Sequence, residues 1–240
     1  MATILSAEER RQRNREEMER AILEAARAVM REHGAAGLSL REVARRVRLQ
    51  APSLYAYFPS KAAIYNALFL TGIRLYVTYR TEALEQERDF WSRLHAQLDA
   101  YMRFAHEHPD LYQLAFERPV PGFVPSKESM AESHRLLASL EQGLTEAAAQ
   151  GDIRLDIPIS QARDLIIAMS HGLTSQHMAN EPQLPAGSGR YGGLIPAAVA
   201  LFRSVWEPPS VPPSGPTSAP KGATRHAAKG GEQPPSRTAD

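Results

Sequence analysis

Apolar residues recur at helical spacing along most of the chain, and the spacing predicts helices nearly throughout. Ile22, Ala25, Ala26, Val29 and Met30 form one apolar face. Gly34, after His33, suits a left-handed C-terminal cap for that first helix. Ser39 and Glu42 have the spacing of a capping box. Leu40, Val43, Ala44 and Val47 are then the inward positions of a short second helix. Residues 48–50 make a tight connection, and Pro52 fits the first turn of a third helix. That helix stops near Phe58, because Pro59 disfavours helical geometry just before it. Ser60 can cap a fourth, with Ile64, Ala67, Leu68, Thr71 and Leu75 inward.

Four further faces follow. They are Leu94, Leu98, Tyr101, Ala105 and His108; Leu137, Leu140, Leu144 and Ala147; Ala162, Leu165, Ile166, Met169 and Leu173; and Leu194, Ala198, Leu201, Phe202 and Val205. Apolar and polar residues never alternate for long, so no strand is expected. The fold class is all-α, an N-terminal three-helix unit followed by a helical bundle. From Glu207 to Asp240 the chain is rich in Pro, Ser, Gly and Ala, and this tail is expected to be disordered. The expected organisation is an arm at 1–15, a first domain at 16–80, a second at 81–206 and the tail at 207–240.

One longer helix and two short ones joined by a tight turn have the size and order of a helix-turn-helix unit. Such a unit sets its second helix in the DNA major groove. Here that helix is about Ala51–Phe58, and Gln50, Ala51, Ser53 and Tyr55 stand near its base-reading end. Ser39 can offer a hydroxyl and a helix start to a phosphate. Tyr55 and Tyr57 sit on a helix too short to bury both rings, although one of the two suits the core. Lys61 opens the fourth helix, where the macrodipole disfavours a cation, so its place suggests a use other than helix stability. Leu54 and Phe58, four apart, are core.

Charge sharpens this reading. Residues 1–80 carry 14 Lys and Arg against 8 Asp and Glu, whereas 81–206 carry 10 against 16. The basic third is the one with the helix-turn-helix pattern, and the basic run at 10–15 reads as a flexible arm near DNA. The chain holds no cysteine and no apolar run of membrane-spanning length, and its N-terminus does not read as a secretory signal. A cytoplasmic protein is expected.

Residues 20–68, with "LSLREVA" followed after a short turn by "SLYAYFPSKAAI", resemble the DNA-binding domain of the TetR family of bacterial transcriptional regulators. The resemblance implies that Ser39, Tyr55 and Lys61 touch phosphates. It places Gln50, Ala51, Ser53 and Tyr57 at or near the bases. The family usually has glycine where this chain has Arg48, which implies a strained residue that also adds positive charge beside DNA. It further implies a homodimer through about 160–206, a palindromic operator, repression and a small-molecule effector. "HPDLYQLAF" and "HGL" look similar to a subgroup carrying a Trp and a His-Gly pair, but residues 166–170 hold no tryptophan.

Candidate lining of an effector pocket is Tyr101, Phe104, Tyr112, Phe116, Phe123, Met130, Met169 and His171. The "ERPVPGFVP" loop at 117–125 suits an entrance. The acidic balance of 81–206 favours a neutral or cationic effector. His106, His108, His134, His171 and His177 lack metal-ligand spacing, so no metal or cofactor is expected. No GxxxxGK[ST], GxSxG or cysteine points to an enzyme. The alternatives are a helical interaction module with an unused DNA-binding domain and, remotely, an enzyme fused to a helix-turn-helix.

Overall fold

The computed structural model describes residues 6–209, and among these it holds nine α-helices and no strand. They are α1 (Ala7–His33), α2 (Leu40–Arg46), α3 (Lys61–Glu85), α4 (Phe90–Glu107), α5 (Pro109–Tyr112), α6 (Lys127–Gln150), α7 (Ile159–Asn180), α8 (Gly189–Gly192) and α9 (Ile195–Trp206). Residues 210–240, most of the expected tail, lie outside the described part. Among the described residues no helix is long and apolar enough to cross a membrane.

The expected arm is corrected. α1 starts at Ala7, so residues 7–15 are helix rather than a flexible segment. Ser6 and Glu9 close a full capping box, the side chain of each meeting the other's backbone N–H. Ile22, Ala26, Val29 and Met30 are buried as the spacing requires. Burial of Ile22, Val29 and Met30 contributes about 1.5–3 kcal/mol each. Gly34 does adopt a positive φ of 75°, but its ψ of 162° is extended rather than left-handed helical. Only glycine enters that region easily.

α2 is capped by Ser39, whose hydroxyl accepts from the Glu42 N–H at 3.4 Å. The reciprocal half of the expected box is absent. The Glu42 carboxylate turns instead to Arg45 and Arg46, at 2.7 and 2.9 Å. Arg46 also reaches Glu32 of α1 at 2.6 Å, which ties α2 to α1. These arginines hold the Glu42 carboxyl at about 2, well below the ordinary range.

The expected third helix is a 3-10 turn at Ala51–Ala56, with Pro52 in its first turn. The expected fourth is α3, capped by Ser60 through the Ala63 N–H. Thr71, expected inward, is exposed. The buried set is Ile64, Tyr65, Leu68, Phe69, Gly72, Ile73 and Tyr76, which spans more than one face. The reason is position: α3 runs roughly 37 Å and packs against α1 at one end and α4 and α6 along its length.

One apolar cluster therefore runs from Ile22 and Val43 through Leu68 and Ile73 to Phe104, Leu111 and Tyr112. A second gathers Leu94, Leu98, Leu144, Ile166, Val199 and Trp206 from α4, α6, α7 and α9. Phe104 and Met169, expected to line a pocket, are absorbed by these two cores. Gln113–Glu117 form a π-helical turn after α5, ending on Arg118 at a φ of 51°. π-Turns inside helical domains commonly mark functional sites.

Candidate functional site

The Ala51–Ala56 turn, the expected recognition element (hereafter the recognition turn), is pinned by its own core residue. Leu54 is buried, and Phe58 packs half-buried beside it. Ser53 and Tyr55 are exposed, Tyr55 at 55%. Gln50 precedes them, exposed, and Ala51 leans into the core. Tyr57 is half-buried. It is thus the tyrosine that serves the core, while the Tyr55 ring is left to solvent.

Arg48 sits at a φ of 57°, inside the left-handed region that glycine fills without strain. For a residue with a Cβ this costs about 1–2 kcal/mol. The Leu49 N–H reaches back to the Ala44 carbonyl at 2.9 Å, so the turn is locked in that shape. The Arg48 side chain is exposed and has no ion-pair partner among the described residues. Arg41 and Lys61 are likewise without a carboxylate within ion-pair distance there. Arg45 and Arg46 differ, being committed to Glu42 and Glu32. Arg48 and Lys61, on either side of the Ala51–Ala56 turn in the chain, are therefore unpaired among the described residues, and Arg45 and Arg46 brace α2.

Arg15 was missed by the sequence reading. Its Nη2 donates to the Ala56 carbonyl at 3.0 Å, and its guanidinium stacks over the Tyr57 ring at 5.5 Å. It closes the C-terminal end of the recognition turn from α1. The signal available was the Ser6–Glu9 box, which carries α1 far enough back to place Arg15 on it. Lys61 holds its Nζ 5.4 Å from the Tyr65 ring, and the Tyr65 hydroxyl donates to the Ala35 carbonyl at 2.7 Å.

In the second domain the expected pocket residues separate into groups. Tyr101 and Phe116 line an apolar cavity of about 130 Å³ together with Tyr76, Leu136, Leu137 and Ile166. Tyr112 is buried behind them. Its hydroxyl and that of Tyr101 meet Nδ1 of His171 at 3.3 and 3.1 Å. Burial raises both phenols above their ordinary pKa and pushes Tyr76 up to about 12. All three stay neutral, and Tyr101 and Tyr112 hydrogen-bond His171. Phe123 and Met130 belong elsewhere, to a cavity of about 180 Å³ beneath Val120 and Pro125. The 117–125 loop therefore covers that cavity and not the one beside Tyr101.

The sequence reading also missed the polar side of the chamber. An adjoining cavity of about 270 Å³ shares Arg80, Gln97, Leu140 and Ile166 with the apolar one. Gln97 interrupts the apolar face of α4, and Arg80 closes the apolar run of α3. Only the packing of α3, α4 and α6 brings them together. No cluster of three or more His, Asp or Glu suited to a metal occurs among the described residues.

A third feature is apolar surface. Leu165, on α7, is 50% exposed, and Leu201 and Val205, on α9, are 60% and 67% exposed. The helical period marks them as apolar, and the structure shows that this chain does not cover them.

Two family profiles match the chain. The profile of bacterial regulatory proteins of the tetR family matches residues 22–68, and that of the tetracyclin repressor-like C-terminal domain matches 94–190. The chain is 30% identical over 144 residues to the HTH-type transcriptional regulator Rv1816 of Mycobacterium tuberculosis. That match covers 59% of this chain and 62% of the regulator. A solved protein of unknown function from Rhodococcus sp. RHA1 shares 25% identity at a TM-score of 0.66, over 78% of this chain and 94% of that one. The transcriptional regulator FadR from Bacillus subtilis, solved with stearoyl-CoA, has the same fold at 17% identity and a TM-score of 0.61. It is covered over 76% of this chain and 96% of its own.

Proposed function

The chain belongs to the TetR family of bacterial regulatory proteins, and we propose that it is a homodimeric, ligand-responsive repressor that binds a palindromic operator. The observation carrying this reading is the recognition turn. Tyr55, Ser53 and Gln50 are exposed on it, with Arg41, Arg48 and Lys61 uncommitted around it.

The roles that the family resemblance implies are compatible with this placement. Ser39, Tyr55 and Lys61 hold phosphates, which fixes register without reading sequence. Gln50, Ala51 and Ser53 meet base edges. Tyr57 contributes by bracing the turn with Arg15. Arg48 adds a phosphate contact from a backbone position bent toward the groove.

Two copies pair through α7 and α9, covering Leu165, Leu201 and Val205. The pairing sets two recognition turns about 34–36 Å apart, or a multiple of that, to match successive major grooves. The effector occupies the chamber between α3, α4, α6 and α7 and favours a spacing that no longer fits. By linkage, operator DNA then weakens the effector by the same factor. The protein acts in the cytoplasm and is not an enzyme.

Nuclease footprinting of the gene's own upstream DNA tests this reading. Protection of two symmetric half-sites one helical turn apart is expected. Uniform protection of unrelated DNA, or none, contradicts it.

A further inference from the structure

The chamber contains a cation that the fold does not neutralise. Arg80 of α3 donates from Nε to Gln97 Oε1 at 2.8 Å and from Nη1 to Ser139 Oγ at 3.1 Å. Both acceptors are neutral. No Asp or Glu pairs with Arg80 among the described residues. The Ser139 hydroxyl gives its proton to the Leu136 carbonyl at 2.8 Å, so its oxygen can only receive from Arg80. The guanidinium is thus gripped from two sides, with Nη2 left over. The Gln97 amide nitrogen makes no hydrogen bond among the described residues either, so two donors remain for an occupant.

Surroundings favour an anion further. Arg93 lines the same cavity and adds a second positive charge at its rim. Glu146 also lines it, but its carboxylate is held by the Gln142 amide at 2.8 Å. Burial disfavours the charged form of Arg80, with Arg93 adding to the effect. Arginine nevertheless keeps its proton in proteins. A partly buried cation without a counter-charge is costly, and a ligand that brings the counter-charge reduces that cost. On the other side of Arg80 the walls turn apolar.

We propose that this chamber takes a small amphipathic carboxylate, its anionic group on Arg80 Nη2 and the Gln97 amide and its apolar body among Tyr101, Phe116, Leu137 and Ile166. The planar guanidinium fork matches a carboxylate in shape and charge. The inference rests on the reading of the helical domain as the effector-binding half. It replaces the expectation of a neutral or cationic effector. Of the acidic residues of 81–206 Glu146 alone lines the chamber, against Arg80 and Arg93, so the charge there is net positive.

The test uses the full chain and a panel of octanoate, benzoate and phenylacetate with their primary amides, read by thermal shift and calorimetry at millimolar ligand. At least one acid raises the melting temperature, and its amide does not. Arg80→Met weakens that acid by on the order of tenfold or more. The same variant melts near wild type without ligand, because the loss of a partly buried unpaired charge is offset by the loss of its hydrogen bonds to Gln97 and Ser139. Where Arg80→Met fails to fold, Arg80→Lys keeps the charge and must keep the preference for acid over amide. No stabilising acid, equal stabilisation by acid and amide, or full acid affinity in Arg80→Met overturns the proposal. DNA binding by the unliganded protein is scored separately, so loss of the operator reading is distinguishable from loss of this one.

Discussion

Arg27 of α1 donates from Nε to Asp110 Oδ2 at 2.8 Å, and the Asp110 side chain is fully buried. Asp110 opens α5, and two residues on stands Tyr112, which meets His171 behind the chamber. The pair thus joins α1 to the short helix α5, which carries Tyr112. Removing the Asp110 charge leaves Arg27 only the exposed Glu24 at 3.5 Å as a counter-charge, a loss of up to about 3–5 kcal/mol. Asp110→Asn is expected to lower stability by roughly that much in urea denaturation. The double variant Arg27→Met with Asp110→Leu is expected to regain most of it. A double variant as unstable as the single one argues that the contact is not the cause.

His108 gives the same junction a pH dependence. Arg27 Nη2 reaches its Nδ1 at 3.2 Å, and arginine can only donate, so Nδ1 is the acceptor. The proton then sits on Nε2, directed to the Tyr79 oxygen at 3.1 Å, and Tyr79 donates onward to Glu107. Burial first, and Arg27 next, hold the His108 pKa below its ordinary 6.5. A depressed histidine favours the fold above its unfolded pKa, and that contribution is lost as pH falls from 6.5 toward the folded value. Melting temperature is expected to drop on acidification through this window in wild type, and less steeply in His108→Gln. Equal slopes refute the assignment.

Arg48→Gly separates strain from contact. Relief of the left-handed φ is expected to raise stability by roughly 0.5–1 kcal/mol, net of glycine's greater unfolded entropy. The same change removes a cation from the DNA face and lowers the salt slope of binding. A variant that is more stable and binds DNA unchanged leaves Arg48 as strain alone.

Lys61→Ala is expected to weaken binding to all sequences about equally and to reduce the salt slope by about 1. An altered base preference in a competition assay would show that Lys61 is not a phosphate contact.

Leu201→Glu places a charge on the exposed apolar face of α9. Sedimentation is expected to show a dimer for wild type and a monomer for this variant, with operator binding lost alongside. A dimeric variant moves the interface elsewhere.

Local signals carried much of this into the sequence. The Ser39 and Ser60 caps, Pro52 and the Leu54 anchor are each written within a few residues, and the structure holds them there; the strain at Arg48 was implied by the family resemblance alone. The start of α1 was legible only in the Ser6–Glu9 box, since the charged run after it has no apolar face. Thr71 misled because α3 is packed on several sides, where a single stripe is a poor guide. Leu165, Leu201 and Val205 were legible as apolar face positions, but periodicity does not report which chain covers them. Arg80, Gln97 and Ser139 come from three helices and share no local pattern, so the polar half of the chamber was beyond a linear reading. Phe123 and Met130 were placed with Tyr101 for their chemistry alone, and packing sends them to another cavity.

The central claim is sequence-specific operator binding by the recognition turn. Fluorescence anisotropy of the gene's own upstream DNA, titrated at several salt concentrations beside a scrambled duplex, tests it most directly. The account predicts saturable binding that favours the natural sequence, falls with salt by about 0.9 log units per phosphate contact per log unit of salt, and weakens in Tyr55→Ala. Equal affinity for both duplexes at every salt concentration would contradict it.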